Sequence, residues 1–332
     1  MRLNSCHPEC KILLAALALA SAGTGLLIAG ENSPAAPAMV RATPNAPLPH
    51  PDGNAQIRAV INGSTLVLTT SRELAGAIGS LQWNGHEFIN RSDHGRELQS
   101  ACSFDLTPQA NSETFNPTEA GSRDDGASTN TTSRLLEITA AGNRLQTRAQ
   151  MAFWLAPGEL SGGQLARNTS KLSDYQLSKD VRIGFGRWPQ VLDYRVTFSL
   201  PATARHTSAQ FEALTGYLKP EFSSFWQLDA ATGKLVPLTD GPGEINSPVV
   251  LATPDGKFAT GIMAEPASPN THGPSYGRWK FVQERVVKWN CVFRVNATPS
   301  VPTGDHSFHM LVPFGTLAEV EAMLQAWRTP PW

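Results

Sequence analysis

Gly76-Ala-Ile-Gly-Ser-Leu-Gln-Trp-Asn-Gly-His-Glu-Phe-Ile-Asn90 decides the fold class. Asn84-Gly85 tolerates positive φ at both positions, as a tight type I′ turn requires, and two extended runs flank it, Ala77–Trp83 and His86–Asn90. The stretch predicts a β-hairpin. Further β-forming runs follow at Thr65–Thr70, Arg134–Thr139, Leu145–Leu155, Asp180–Phe185, Leu192–Leu200, Val249–Thr253, Ala259–Met263, Glu284–Val295 and His306–Pro313. In Tyr194–Leu200 apolar residues alternate with Arg195, Thr197 and Ser199, the period of a strand with one wet face. One helix is marked. Thr316 and Glu319 form a capping box, Leu317, Val320, Met323, Leu324 and Trp327 share a face, and Pro330-Pro331 stop it. Many strands, frequent turns and one helix predict an all-β antiparallel sandwich or barrel.

Composition agrees. Of 332 residues, charged residues make up 17 %, with 27 Gly and 25 Pro, which favours short strands and turns over long helices. The net charge of −1 and the scattered Lys and Arg leave no basic stripe for nucleic acid. At the N-terminus, Arg2 and Lys11 precede the apolar run Ile12–Ala20 and a small-x-small site at Ala20-Ser21-Ala22, which read as an export signal within residues 1–30. Because apolar residues resume at Leu26–Ala29, an uncleaved anchor is the alternative. The expected location is the periplasm or the exterior, with membrane contact only if that segment is kept. Residues 31–54, rich in Pro and Ala, read as a linker, and 55–332 as a single domain. In an exported chain Cys102 and Cys291 either form a disulfide or sit as buried thiols.

Two polar stretches carry candidate site residues. The first runs Asp93-His-Gly-Arg-Glu-Leu-Gln-Ser-Ala101 and resumes at Asn116-Pro-Thr-Glu-Ala-Gly-Ser-Arg-Asp-Asp-Gly126. It reads as loops handed over from a sheet, where binding groups concentrate. His94 is the candidate acid/base, and Arg96, Glu119 and Arg123 are candidate ligands for hydroxyls or a carboxylate. The competing reading is a set of ion pairs stapling the loops. The second stretch, Asn270–Trp279, reads as a Gly/Pro-rich loop that offers Tyr276 as a catalytic group and Arg278 as a binding one. On the strand Lys288–Arg294, Lys288, Asn290, Val292 and Arg294 share one face and Trp289, Cys291 and Phe293 the other, with Asn290 a binding candidate. Glu97, Glu119, Asp193, Glu212 and Glu265 are the carboxylates available for paired acid/base work. No HxH, HExxH or phosphate-loop motif occurs in the chain beyond the signal, so no metal and no cofactor is expected.

The segments "GAIGSLQWNGHEFIN" and "DHGRELQSA" resemble the opening of proteins with the galactose mutarotase-like β-supersandwich fold. "NPTEAGSRDDG", Tyr276-Gly-Arg-Trp279 and "KWNCVFR" resemble a group of uncharacterised exported bacterial proteins, over residues 60–326. The resemblance implies a β-supersandwich that handles carbohydrate in a sheet-face cleft. The His-Pro-Tyr-like context of mutarotases is missing, and their late Glu has a faint counterpart in Met263-Ala-Glu-Pro266. That fold serves epimerases, lyases and non-catalytic domains alike, so three functions stay open: an epimerase- or lyase-type enzyme, a carbohydrate-binding protein, and a structural envelope protein.

Overall fold

The computed structural model describes residues 51–92, 94–126, 130–266, 268 and 270–328. The expected export signal and nearly all of the expected linker lie outside them. In chain order the strands are β1 (Ala55–Ile61), β2 (Ser64–Thr70), β3 (Ile78–Trp83), β4 (His86–Glu87), β5 (Leu98–Phe104), β6 (Pro117–Thr118), β7 (Arg134–Ala141), β8 (Arg144–Phe153), β9 (Leu160–Ser161), β10 (Gln164–Leu165), β11 (Leu172–Phe185), β12 (Trp188–Leu200), β13 (Ser208–Leu218), β14 (Ser224–Leu228), β15 (Leu235–Pro237), β16 (Gly243–Ile245), β17 (Val249–Ala252), β18 (Ala259–Gly261), β19 (Met263–Ala264), β20 (His272–Phe281), β21 (Val286–Asn296) and β22 (Gly304–Gly315). The helix α1 (Leu317–Ala326) follows, with Thr316 and Glu319 forming its capping box.

The strands make an antiparallel sandwich, the fold class expected from the sequence. One layer runs β1-β2-β3-β5-β13-β21-β20-β16. The other runs β7-β8-β11-β12-β22 and continues through β18, β17 and β14. Strand β6 joins them by pairing with both β5 and β8. The expected hairpin is β3–β4, with Asn84 and Gly85 at φ of 52° and 74°. Between the layers Phe198 meets Phe211 at 5.0 Å and Phe293 stacks on Phe308 at 4.4 Å. Each such fully buried ring contributes roughly 1.5–3 kcal/mol. Trp289, Cys291 and Phe293 are buried on the core side of β21, as their alternation predicts. Cys102 and Cys291 are free thiols in this core, so the packing alternative holds over the disulfide; burial pushes both thiols well up.

Three readings need correction. Leu98–Ala101, the last part of the opening run of the first polar stretch, belongs to the central strand β5, and Asn270–Trp279 belongs mostly to β20. In β20, Gly273-Pro274 read as loop residues, but they form an irregularity between His272 and Ser275 that leaves the pairing with β21 intact. Strand β13 was not expected at all. Its Glu212, Ala213 and Gly216 dilute the β signal, and a bulge breaks its alternation.

Candidate functional site

The outer face of β5, β13, β21 and β20 carries a polar groove, and the β13 bulge builds it. Glu212 pairs with Val292, but the next register places Leu214 opposite Cys291 and Thr215 opposite Asn290. One extra residue, Ala213, is accommodated, and its carbonyl accepts from the Ser100 hydroxyl at 2.8 Å. Thr215 therefore takes the outward position that an unbroken strand would give Leu214.

Three donors converge on Glu212 Oε2: Thr215 Oγ1 at 2.9 Å, Lys288 Nζ at 3.2 Å and Asn290 Nδ2 at 3.2 Å. Glu212 Oε1 has no hydrogen-bond partner among the described residues. Lys288 Nζ also lies 5.1 Å from the Tyr217 ring and 4.9 Å from the Trp279 ring, both in cation–π range. Trp279 can lie where it does because Gly277 has no side chain. A Cβ there would come 2.1 Å from the indole and 2.4 Å from Asn290 Oδ1, which accepts from the Gly277 N–H at 3.0 Å. Farther along, Arg294 makes a two-point contact to Glu244 at 2.8 and 2.7 Å and donates to Gln210 Oε1 at 3.0 Å.

Burial alone would push the Glu212 carboxyl up. The Lys288 charge and the bonds from Thr215, Asn290 and Lys288 outweigh burial and hold it below its ordinary value. For Lys288 burial acts downward, but Glu212 and Tyr217 outweigh it and push the ammonium up. Burial raises the Tyr217 phenol, against the pull of Lys288. At neutral pH the pair is thus carboxylate and ammonium, an acceptor and a donor side by side between two aromatic rings. The Glu212 and Lys288 side chains are 21 % and 11 % exposed, low in the groove yet open to solvent.

Of the residues singled out from sequence, Asn290, 2 % exposed, lies at the base of this groove together with Glu212 and Lys288, and Arg294 lies farther along it. The candidates of the two polar stretches lie elsewhere. His94 is buried, with Nδ1 against Gly126 O and Nε2 2.5 Å from Glu73 O. Glu119 is buried against Lys179 at 2.5 Å, while its Oε2 accepts from the Ser100 N–H at 3.1 Å. Arg96 donates to Ser92 Oγ at 3.1 Å. Arg123 pairs with Glu159 at 2.6 Å. Tyr276 faces the core, where its hydroxyl accepts from the Ala264 N–H at 3.0 Å and burial pushes its phenol well up. Arg278 donates to Thr239 O and Oγ1 and to Gly243 O at 3.2, 3.0 and 2.9 Å, stapling the segment before β16. His94 lies beside Gly121 in a loop knot in which Asp125 accepts from Ser122 and Thr132, whereas Glu119 and Arg123 turn to Lys179 and Glu159.

Sequence reasoning missed Thr215 and Tyr217, and it named Glu212 without a partner. The Lys288–Arg294 alternation was the signal pointing at this face. Among the other candidate carboxylates, Asp193 and Glu265 flank His309, at 2.7 Å from Nε2 and 3.2 Å from Nδ1. Among the described residues no group of three or more His, Cys, Asp or Glu side chains is placed to hold a metal ion.

No protein-family model matches the chain, and no curated protein matches it. Solved structures do. The Slr1438 protein from Synechocystis sp. PCC 6803 is 12 % identical with a TM-score of 0.42, over 83 % of this chain and 99 % of that one. The α-galactosidase from Lactobacillus brevis is 11 % identical with a TM-score of 0.42, over 80 % of this chain and 40 % of that one. An aldose 1-epimerase-like protein from Klebsiella pneumoniae is 12 % identical with a TM-score of 0.42, over 82 % and 91 %. At these values the likenesses are ones of outline, and they carry no statement about a ligand or a reaction.

Proposed function

We propose that the protein binds carbohydrate in the groove on the outer face of β5, β13, β21 and β20. The observation that carries this reading is the Glu212–Lys288–Asn290 cluster between the Tyr217 and Trp279 rings. Sugars present apolar ring faces and paired hydroxyls. An indole and a phenol suit the first, and a carboxylate beside an ammonium and an amide suits the second. Glu212 Oε1, open among the described residues, is the acceptor for a ligand hydroxyl. Arg294 and Glu244 extend the polar floor beyond the cluster.

A second reading, epimerase- or lyase-type proton transfer, draws on the same open oxygen. A carboxylate held ionised is a base in waiting, and Lys288 beside it would steady a developing negative charge. The raised Lys288 makes a poor acid at neutral pH, so binding without turnover is favoured over catalysis. The place of action is the periplasm or the exterior, supported by the charged and apolar pattern of residues 1–30.

The test is calorimetric titration of the full chain with a panel of neutral hexoses, uronic acids and their oligomers, followed by product analysis on any ligand found. Saturable binding that Glu212→Gln and Trp279→Ala both abolish, with unchanged melting temperature, supports the reading. Binding that survives both substitutions would move the site elsewhere.

A further inference from the structure

A second group of side chains lies apart from the groove, at the end of the sandwich where β12 hands over to β13. His206 Nδ1 is 2.6 Å from Asp105 Oδ2, and its Nε2 is 2.5 Å from the Tyr175 hydroxyl. With a neutral imidazole the protons have one consistent placement. Tyr175 donates to Nε2, and Nδ1–H donates to Asp105. The array is fixed from both sides. His206 stacks on Phe104 at 4.2 Å, and Asp105 Oδ1 accepts from the Thr207 and Ser208 N–H groups at 2.7 and 3.3 Å. Burial, reinforced by Cys102 and Asp105, pushes the Tyr175 phenol far up, so it stays a hydroxyl.

Tyr175 and His206 line a cavity of about 310 Å³ together with Asn168, Asp174, Arg167 and Arg205. Two features of its wall call for a ligand. Asn168 is 6 % exposed, and both its amide donations are used, to Leu155 O and Ser170 O, yet its buried Oδ1 has no partner. The wall also carries two guanidinium groups with no carboxylate of a described residue in ion-pair range. Among the described residues the Arg167 guanidinium donates only to Thr114 Oγ1 and the Phe104 carbonyl, and that of Arg205 only to the Ala202 and Ala204 carbonyls. Against these two positive charges stands Asp174.

We propose that this cavity is a second binding site and takes a small hydroxylated carboxylate, such as a sugar acid. The two arginines meet the carboxylate, and Asn168 Oδ1 accepts a hydroxyl proton. The Tyr175 oxygen, held by its bond to His206, accepts another. An unbranched inorganic anion would satisfy the arginines and leave Asn168 unpaired, and a neutral sugar would do the reverse.

Calorimetric titration of the full chain with D-galacturonate, D-galactose and inorganic sulfate tests this. Galacturonate is expected to bind more tightly than either of the others. Arg205→Gln and Arg167→Gln should each weaken it about tenfold, the loss of one charge-assisted hydrogen bond. Tyr175→Phe should weaken it less, and Glu212→Gln, in the groove, should leave it unchanged. Both arginines are exposed, so their variants should melt with the parent. Sulfate binding as tight as galacturonate would reduce the site to an anion patch and overturn the proposal. So would galacturonate binding that ignores both arginine variants or that Glu212→Gln abolishes.

Discussion

Two Lys–Glu pairs share one chemistry and differ in setting. Lys179 and Glu119 lie inside the molecule, 0 % and 1 % exposed, and the ammonium also donates to Gly76 O at 3.1 Å. Lys288 and Glu212 sit in the groove at 11 % and 21 %, flanked by two rings and with one carboxylate oxygen open. In the first pair every strong contact is spent on the protein itself, tying the segment after β6 to β11 and to the turn before β3. In the second, donors and an acceptor remain within reach of solvent. Residue type alone therefore does not mark a site. What marks it is a charged group held in place with capacity left over.

Breaking the sealed pair should have the largest effect. Glu119→Ala or Lys179→Met leaves a lone charge in the core and is expected to cost about 3–5 kcal/mol in urea unfolding. Joint replacement by Glu119→Leu and Lys179→Met should recover most of it. If the single variants unfold like the parent, the pair is not sealed. His94→Ala ranks next. It removes two contacts to carbonyls inside the knot, for an expected loss of about 1–3 kcal/mol, and ligand response in the variant that still folds should persist.

In the groove, Gly277→Ala sets a methyl against the Trp279 ring and should cost about 1–3 kcal/mol while abolishing ligand binding. Glu212→Gln should change stability little at pH 7 and show itself in the pH profile. Because the folded carboxyl is held below its ordinary value, its stabilisation is complete above the unfolded value of about 4.3 and is lost as pH falls through the folded one. The melting temperatures of parent and variant, close at pH 7, should therefore separate below about pH 4, the parent falling faster; a difference that stays constant down to pH 3 would contradict the assigned interaction. The smallest effect concerns the thiols. Denatured, unreduced protein without the N-terminal segment should titrate two free thiols, Cys102 and Cys291, and the native protein should react slowly at both.

Much of the architecture was legible in the sequence. Asn84-Gly85 announced its hairpin, Thr316 and Glu319 their helix, and the alternation through Lys288–Arg294 separated the face of β21 that carries Lys288, Asn290 and Arg294 from the side that packs in the core. These are local signals, settled within a few residues. The site was harder to read because its parts are distant in sequence. Glu212 and Lys288 are 76 residues apart, and Glu119 and Lys179 are 60. The His94 motif drew the eye because it is rich in charge, but such richness also serves a buried knot. The decisive device, one extra residue at Ala213 that turns Thr215 toward Glu212, leaves no mark in composition. A bulge is defined by its pairing partners, and a single strand's sequence does not contain them.

The most direct measurement is ligand titration of three proteins side by side: the parent, Glu212→Gln and His94→Ala, each against neutral and acidic glycans, with melting curves recorded alongside. The groove account predicts that Glu212→Gln melts with the parent and loses binding, whereas His94→Ala melts earlier and keeps it. The reverse pattern, with binding lost in His94→Ala and kept in Glu212→Gln, would contradict it and return the site to the polar motif.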